Sequence, residues 1–497
     1  MNLSLKSIFK MKNSFLILHF TIINFFLSAQ TCTDFPNIAQ SIKENTKICP
    51  EAMVNDLVQL NESIQEIHPN PFLYVSDSVY YQSYKKALSA ASSEKTVLEF
   101  AQIVADFVHS IKDSHTNFNP RDLLFQSSRK KAVVPFYLKE ISGKCFLDKI
   151  YLESLPIGCE ILQVNDFKSD SLYQLSKRFC FREGDALIPQ TEIASKMAGI
   201  VFNLFNSKSA INIKYVSYKG DTLSKLCPSI PVKKMIRMKN WYDAEELTSY
   251  FDKNNVAVLT VKSFETRSLS NYKKQIDLFF SEVERRKCKS IVIDLRDNRG
   301  GLILAQEYLI SYLNKAKINQ QMNYLYKRSK FDRFSLLPFY QRWQFQKRAR
   351  LVYPKGIISK EYDFFQSPLG TVKTILYDYL PKNQLNKVYE GECTLVINGF
   401  SMSASALFAS WFRDNERGKI VGSPCMGPMS GTFGNSATIR LKNSQFPIMI
   451  STLKFTPTKY EKIQLEPIQP DVLIQKNVND LIQKSDPILN YLGVIQP

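Results

Sequence analysis

From residue 38 to about residue 109, apolar side chains return every three or four positions, as in Met53-Leu57-Leu60-Ile64-Ile67 and Val97-Phe100-Ile103-Val104-Phe107. That is the period of a helix with one face turned inward, so the spacing predicts a small helical domain. Near Pro135 the pattern changes to short β-branched and aromatic runs: Val133-Val134-Pro135-Phe136-Tyr137, Cys145-Phe146-Leu147 and the stretch from Cys159 to Val164. Runs this short, bounded by turn residues, predict strands. From Asn255 onward strands and helices alternate. Strands are expected at Val256–Val261, Ser290–Leu295 and Thr394–Ile397, and helices from about Leu302 to Leu313 and from Ser403 to about Asp414. Further strands follow at Ile420–Gly422, Ala437–Leu441 and Ile448–Phe455. Such alternation predicts an α/β layer with parallel strands, in which functional groups gather where strands end and helices begin.

The first residues follow another pattern. Lys6, Lys10 and Lys12 precede an apolar run from Phe15 to Leu27 that closes on Leu27-Ser28-Ala29, which predicts a secretory signal peptide cleaved after Ala29. The run is too short for a membrane span, and no later run reaches the roughly 18 apolar residues of an anchor. The residues before Cys32, Gln30-Thr31, are not the small pair expected at a lipidated cysteine. The expected organisation is a signal peptide at 1–29, a helical domain at 30–130, a β-rich domain at 131–235 and the α/β domain at 236–497. The mature chain is expected in the periplasm or outside the cell, with no transmembrane anchor.

Nine cysteines in an exported chain permit disulfides, Cys32 with Cys49 being a plausible short-loop pair, and the odd count leaves at least one thiol without an internal partner. There is no C-x-x-C pair, and the four histidines are scattered at 19, 68, 109 and 115, so a structural zinc site or a metal-dependent mechanism has no support. No cofactor is expected.

The net charge of +19 raises the question of an anionic partner. Much of the excess sits in residues 326–355, where nine Lys and Arg meet one acid, Asp332, among Phe331, Phe334, Phe339, Tyr340, Trp343 and Phe345. Two readings remain: surface association with a membrane or polyanion, or an amphipathic insertion at about 320–360 that packs its aromatics inward. The second suits an exported protein better, and nucleic acid is not expected as a partner.

Two strand-to-helix junctions carry candidate chemistry. In Ile291-Val292-Ile293-Asp294-Leu295-Arg296-Asp297-Asn298-Arg299-Gly300-Gly301, an apolar strand runs into paired glycines, whose backbone can turn its N–H groups toward a ligand. In Leu395-Val396-Ile397-Asn398-Gly399-Phe400-Ser401-Met402-Ser403-Ala404-Ser405, a strand breaks at Asn-Gly and hydroxyl residues open a helix. A serine there is presented on a tight turn beside the helix's unpaired N–H groups, although serine is also simply a good N-cap.

Together the two junctions resemble the carboxyl-terminal processing (tail-specific) peptidase family, which carries an Ile-Asp-Leu-Arg-x-Asn-x-Gly-Gly block and a later Ser-Ala-Ser-Ala-Ser-Glu block. The ending Glu466-Pro467-Ile468-Gln469-Pro470-Asp471 is similar to that family's Gly-Ile-x-Pro-Asp close. The resemblance implies a crotonase-like α/β catalytic domain and a peptide or protein substrate, with Ser403 as nucleophile. The stretch Leu155-Pro156-Ile157-Gly158 through Asn165-Asp166 resembles a PDZ hairpin, without the Gly-rich carboxylate-binding loop of those domains.

One departure redirects the search for a base. Many members place a lysine in a Gly-Lys-Gly turn about 25 residues after the serine; this chain has Gly427-Pro428-Met429, and Ala406 replaces the block's glutamate. The tricorn-type branch instead uses a histidine from the domain before the PDZ-like module, and Asp113-Ser114-His115-Thr116 resembles its block. The resemblance then implies His115 as general base, Ser114 beside it, and a late glutamate: Glu461, slightly preferred by its distance from Ser403, or Glu466. Backbone N–H groups of Gly300 or Gly301 and of Ala404 are the expected oxyanion donors. The rival reading is a secreted binding protein that keeps the fold without activity, which Pro428 and Ala406 favour and the joint presence of Ser403, Ser114 and His115 opposes.

Overall fold

The computed structural model describes residues 47–126, 131–151, 155–206, 208–236, 247–314, 321–332, 335, 361, 363–377 and 388–495. The expected signal peptide, Cys32 and most of the basic aromatic stretch 326–355 lie outside the described residues.

The helical periodicity at the start becomes three helices, Pro50–Ile67, Asp77–Ala90 and Val97–His109. Their starts are written locally: Pro50 occupies the first turn of one, the Ser76 side chain caps the second, and Thr96 with Glu99 forms a capping box on the third. These helices do not close a core of their own. Their inward residues, Met53, Leu57, Leu60 and Phe100 among them, form one apolar cluster with Ala437, Ile439, Ile448 and Ile450 of a hairpin far along the chain. That hairpin pairs Ala437–Arg440 with Pro447–Ile450, and Phe446 beside it stacks on Phe100 at 5.7 Å between ring centroids. Polar bonds fix the same contact, since the buried Asp56 carboxylate accepts from the Asn443 and Ser444 N–H groups at 2.8 and 2.7 Å.

The β-rich segment forms an antiparallel sheet in the order Phe136–Ile141, Lys144–Ile150, Glu160–Val164, Ala210–Val216, Thr222–Pro228, with Phe167–Lys168 added on Glu160–Val164. Pro135, which lacks an N–H for a ladder, separates Ala132–Val133 from Phe136–Ile141 where one run was expected. The helix Leu187–Phe205 was not anticipated and lies close against this sheet: a Cβ on Gly199 would sit 2.1 Å from the Phe136 carbonyl oxygen.

The alternating pattern beyond Asn255 is a six-stranded sheet in the order Leu247–Phe251, Val256–Val261, Ser290–Asp294, Glu392–Ile397, Lys419–Gly422, Val472–Leu473. The first pair is antiparallel and the rest are parallel. Both faces are covered, with Leu259, Ile293 and Leu395 in one apolar cluster and Val258, Val292 and Val396 in another, which explains runs apolar at every position. The single strand expected over Ile448–Phe455 is two, because Leu453–Pro457 joins a separate four-stranded sheet with Met322–Lys327, Val372–Tyr377 and Thr432–Gly434. The break falls at Ser451, whose N–H donates to Thr116 Oγ1 and whose hydroxyl donates to Asp113. Among the described residues, no helix is long and apolar enough to cross a membrane, and the cysteines are free thiols.

Candidate active site

The apolar strand Glu392–Ile397 ends at Asn398-Gly399, and the helix Ala404–Asp414 begins seven residues beyond that strand. Three serines lie between or near these ends, and the structure gives them different employment. Ser401 is fully buried, donates to the Leu295 carbonyl at 2.7 Å and accepts from the Asn398 N–H, so it ties the turn to the neighbouring strand. Ser405 is buried without a hydrogen-bond partner for its hydroxyl. Ser403 stands at the N-cap position with φ 56° and ψ −123°, half-buried, and its side chain makes no capping hydrogen bond. A positive φ at a residue with a Cβ is strained by about 1–3 kcal/mol, and capping is not what repays it. This is the geometry of a nucleophile elbow.

The glycine pair is built around that serine. A Cβ on Gly300, at φ 95°, would lie 2.6 Å from Ser403 Cβ and 2.9 Å from the Ala404 nitrogen. Gly301, at φ 137°, passes within 2.0 Å of the Glu265 nitrogen by the same measure. The Gly300 N–H is already engaged, donating to Asn298 Oδ1 at 2.9 Å. Among the expected oxyanion donors, it is therefore the one whose hydrogen is committed elsewhere.

His115 sits on a turn after the helix Val97–His109, and the turn is held from every side. Lys112, at φ 62°, reverses the chain. The buried Asp113 carboxylate accepts from the His115 N–H at 2.8 Å, from Ser451 Oγ at 2.6 Å and from His68 Nε2 at 3.0 Å. The Asn70 N–H donates to His68 Nδ1, so His68 is neutral with its proton on Nε2. Burial pushes the Asp113 carboxyl up, but the hydrogen bond from His68, with smaller help from His115 and Ser451, holds it below the usual range. His68, which the sequence marks as a turn residue, thus braces the turn that carries His115. His109 is buried, with Nδ1 against the Arg178 carbonyl and Nε2 without a partner, and burial lowers it to about 4. It faces structure, not a reaction centre.

Ser114 links His115 to a carboxylate that the sequence did not single out. Ser114 Oγ lies 3.1 Å from His115 Nδ1 and donates to Glu183 Oε2 at 2.6 Å, while the Ser114 N–H donates to the same oxygen at 2.9 Å. The other oxygen, Oε1, accepts from Tyr74 Oη at 2.9 Å and the Phe433 N–H at 3.0 Å. Glu183 is fully buried, whereas Glu461 and Glu466 are exposed on the segment after Leu453–Pro457. Glu183 is delivered by a close apposition: the Gly184 N–H donates to the Lys112 carbonyl at 2.8 Å, and Lys112 Nζ lies 2.6 Å from Asp185. Gly184, at φ 57°, also passes the Leu465 carbonyl, where a Cβ would approach to 2.5 Å. Ligand atoms of Asp113, His115 and Glu183 lie within 4.8 Å of one another. Protein donors already occupy both oxygens of each carboxylate, so the cluster reads as a hydrogen-bond network.

Met426 joins the two halves. It pairs with Met402 beside Ser403, its N–H donates to the Ser401 carbonyl at 2.9 Å, and its sulfur accepts from the Glu183 N–H at 3.3 Å. A cavity of about 70 Å³ opens next to this strut, lined by Phe400, Met402 and Arg299 from the elbow side and by Asn119 and Arg121 from the chain just past His115. Pro428, at the position of the expected lysine, pairs with Pro467.

Residues 255–474 match the model of peptidase family S41. No curated sequence matches the chain. Among solved structures, a mutant of CPAF superposes with a TM-score of 0.62 at 14% identity, covering 89% of this chain and 96% of that one. Mature CPAF gives 0.59 at 14% identity over 89% and 96%, and mature CPAF complexed with lactacystin gives 0.59 at 14% over 89% and 97%. The family match covers residues 255–474, and at 14% identity the CPAF superpositions show a likeness of fold over most of the chain.

Proposed function

We propose that this is an exported serine peptidase that cleaves peptide bonds by acyl transfer to Ser403 with His115 as general base, in the manner of the tricorn-type branch. Two observations carry the reading: a strained serine whose hydroxyl is not spent on capping, and a histidine oriented through Ser114 onto a buried carboxylate, with Met426 bonded both to Ser401 and to Glu183 between them.

The hydrogen bonds around Ser114 support one direction of proton flow. Ser114 gives its hydroxyl proton to Glu183, so its oxygen accepts from His115 Nδ1–H. The lone pair is then on Nε2, where it can take the Ser403 proton and later return it to the leaving amine. Attack by Ser403 Oγ on the substrate carbonyl forms a tetrahedral intermediate, whose oxyanion meets the N–H groups of Gly301 and Ala404. Gly300 contributes by making room for the Ser403 side chain. Collapse expels the amine, and water hydrolyses the ester. Glu183 takes the part expected of Glu461 or Glu466: it orients the relay and stabilises the imidazolium. The cavity beside Met402 suits a substrate side chain. The leader at residues 1–29 supports export, and the antiparallel sheet with its Pro156-Ile157-Gly158 hairpin supports a PDZ-like module.

Labelling with a fluorophosphonate probe tests the assignment. Wild-type protein is expected to label and Ser403→Ala to stay blank. A wild type that does not label, or Ser403→Ala labelling equally, overturns it.

A further inference from the structure

The mechanism leaves one buried charge unused. Lys454, in the strand Leu453–Pro457, is 1% exposed, and its Nζ donates to Tyr74 Oη at 2.9 Å. A buried ammonium with a neutral hydroxyl as its hydrogen-bond partner is costly unless an anion stands near. The anion is one bond further on, since Tyr74 Oη donates to Glu183 Oε1 at 2.9 Å. The two strands flanking Lys454 place only Leu325 and Phe433 opposite it. The ammonium also lies over the Tyr74 and Phe433 rings at 5.2 and 5.1 Å. The charged and titratable groups around it are Tyr74, Glu183, Asp113 and, across the Phe433 ring, His68.

We infer that Lys454 is a positioning residue of the peptidase: through Tyr74 it holds Glu183 ionised and acceptor-only, and so fixes the tautomer of His115. The reasoning rests on the Ser403–His115 reading above. An ammonium has three donors and no acceptor, so Tyr74 must accept from Lys454 and spend its own hydrogen on Glu183. Glu183 then receives hydrogens on both oxygens, from Tyr74 and Phe433 on one and from Ser114 on the other. Ser114 is left to accept from His115 Nδ1–H. Every hydrogen in the series Lys454, Tyr74, Glu183, Ser114, His115 is thereby assigned from its far end, 339 positions from His115 in sequence and in the four-stranded sheet. Were Lys454 neutral, its nitrogen could accept from Tyr74, and Glu183 would lose both a donor and its counter-charge. Burial lowers the lysine to about 8, against the opposing pull of Glu183 and Asp113, which brings this loss into the working range of pH.

The test is the pH dependence of acylation by a fluorophosphonate in the full-length protein, with kinact separated from KI, for wild type, Lys454→Met, Tyr74→Phe and Ser403→Ala. In Lys454→Met the cation is lost at every pH, so its own titration drops out of the profile. The alkaline limb near pH 8 should vanish, and kinact should fall by about tenfold to a hundredfold with KI unchanged. Tyr74→Phe keeps the ring and the charge but cuts the hydrogen-bond path, and should lower kinact while leaving KI. If Lys454→Met does not fold, as judged by circular dichroism, Tyr74→Phe decides alone. A profile of unchanged shape in Lys454→Met, or wild-type kinact in Tyr74→Phe, overturns the inference while a blank Ser403→Ala leaves the nucleophile standing. Label on Ser403→Ala overturns both.

Discussion

Replacing Glu183 by glutamine keeps the shape of the side chain and reverses part of its hydrogen bonding, which makes it the sharpest probe of the relay. The carboxylate accepts four hydrogens, two on each oxygen. In glutamine one of those oxygens becomes an NH2, so one pair of donors faces another donor. On the Oε1 side Tyr74 can rotate its hydroxyl away but the Phe433 N–H cannot, and on the Oε2 side the same holds for Ser114 and its own N–H. Either orientation leaves one buried backbone donor unpaired, about 1–3 kcal/mol, and weakens the surviving bonds by removing the charge. A stability loss of about 2–4 kcal/mol is expected by urea denaturation. If the amide faces Ser114, its hydroxyl turns toward His115 Nδ1 and the imidazole proton moves to Nε2, where no base remains. A comparable tautomer error in a Ser-His-Asp triad lowers kcat by about 10⁴. Partial occupancy of the two orientations therefore places kinact toward a fluorophosphonate about 10² to 10⁴ below wild type, with KI retained. Glu461→Gln and Glu466→Gln, at exposed positions, should acylate normally. Wild-type kinact in Glu183→Gln, or a loss confined to the Glu461 or Glu466 variant, would refute the reasoning.

The three serines of the elbow should separate cleanly. Ser401→Ala orphans the Asn398 N–H and leaves the Leu295 carbonyl with the Asn298 N–H alone, a loss of about 1–3 kcal/mol in thermal or urea unfolding, whereas Ser405→Ala removes a buried hydroxyl without a partner and should leave stability equal or higher with labelling intact. Gly300→Ala puts a methyl 2.6 Å from Ser403 Cβ; the elbow must shift, and acylation should drop by at least about a hundredfold while circular dichroism is unchanged. His109 supplies a pH test: its folded value is about 4 against 6.5 for the free group. The unfolded chain alone binds that proton between these values, so stability is full above about pH 6.5 and declines by about 3 kcal/mol as pH falls toward 4. His109→Leu should remove that slope from urea midpoints measured between pH 7 and 5, and an unchanged slope would count against the assignment.

Sequence pattern reached the parts of the molecule where chemistry is local. Ser403 could be singled out because a strand, a turn and a helix meet within about ten residues, and His115 because it lies in a compact block with Asp113 and Ser114. Glu183 was not legible for the opposite reason. Nothing in Phe181-Arg182-Glu183-Gly184-Asp185 marks a site; its part follows from Gly184 passing both Lys112 and Leu465, contacts between distant segments. The helical start was legible as three amphipathic helices but not as an incomplete core, because periodicity tells which face is buried and not what buries it. The single strand expected at Ile448–Phe455 breaks at the polar pair Ser451-Thr452, of which Ser451 bonds the turn carrying His115 and Thr452 bonds Asn435.

That failure points to how the site is assembled. The proposed base and nucleophile, His115 and Ser403, belong to separate parts of the chain, and the contacts that frame His115 are mostly supplied by residues 433–454. The hairpin Ala437–Arg440 and Pro447–Ile450 completes the apolar core of the N-terminal helices, and the Met449 and Asn117 backbones pair two residues beyond His115. Ser451 holds Asp113, Phe433 holds Glu183, and the Ser436 hydroxyl donates to the His115 carbonyl. Apolar packing makes the docking favourable, but it is tolerant of small shifts; the charge-assisted bonds to Asp56, Asp113 and Glu183 are not, and they fix the register. A chain in which the hairpin is undocked would keep its parallel sheet and its Ser403 elbow while leaving His115 on an unsupported turn. Substituting Asp56 by alanine, a residue whose carboxylate bonds Asn443 and Ser444 and no member of the relay, should therefore depress acylation of Ser403 out of proportion to its effect on the parallel sheet, because it loosens the frame and spares the serine.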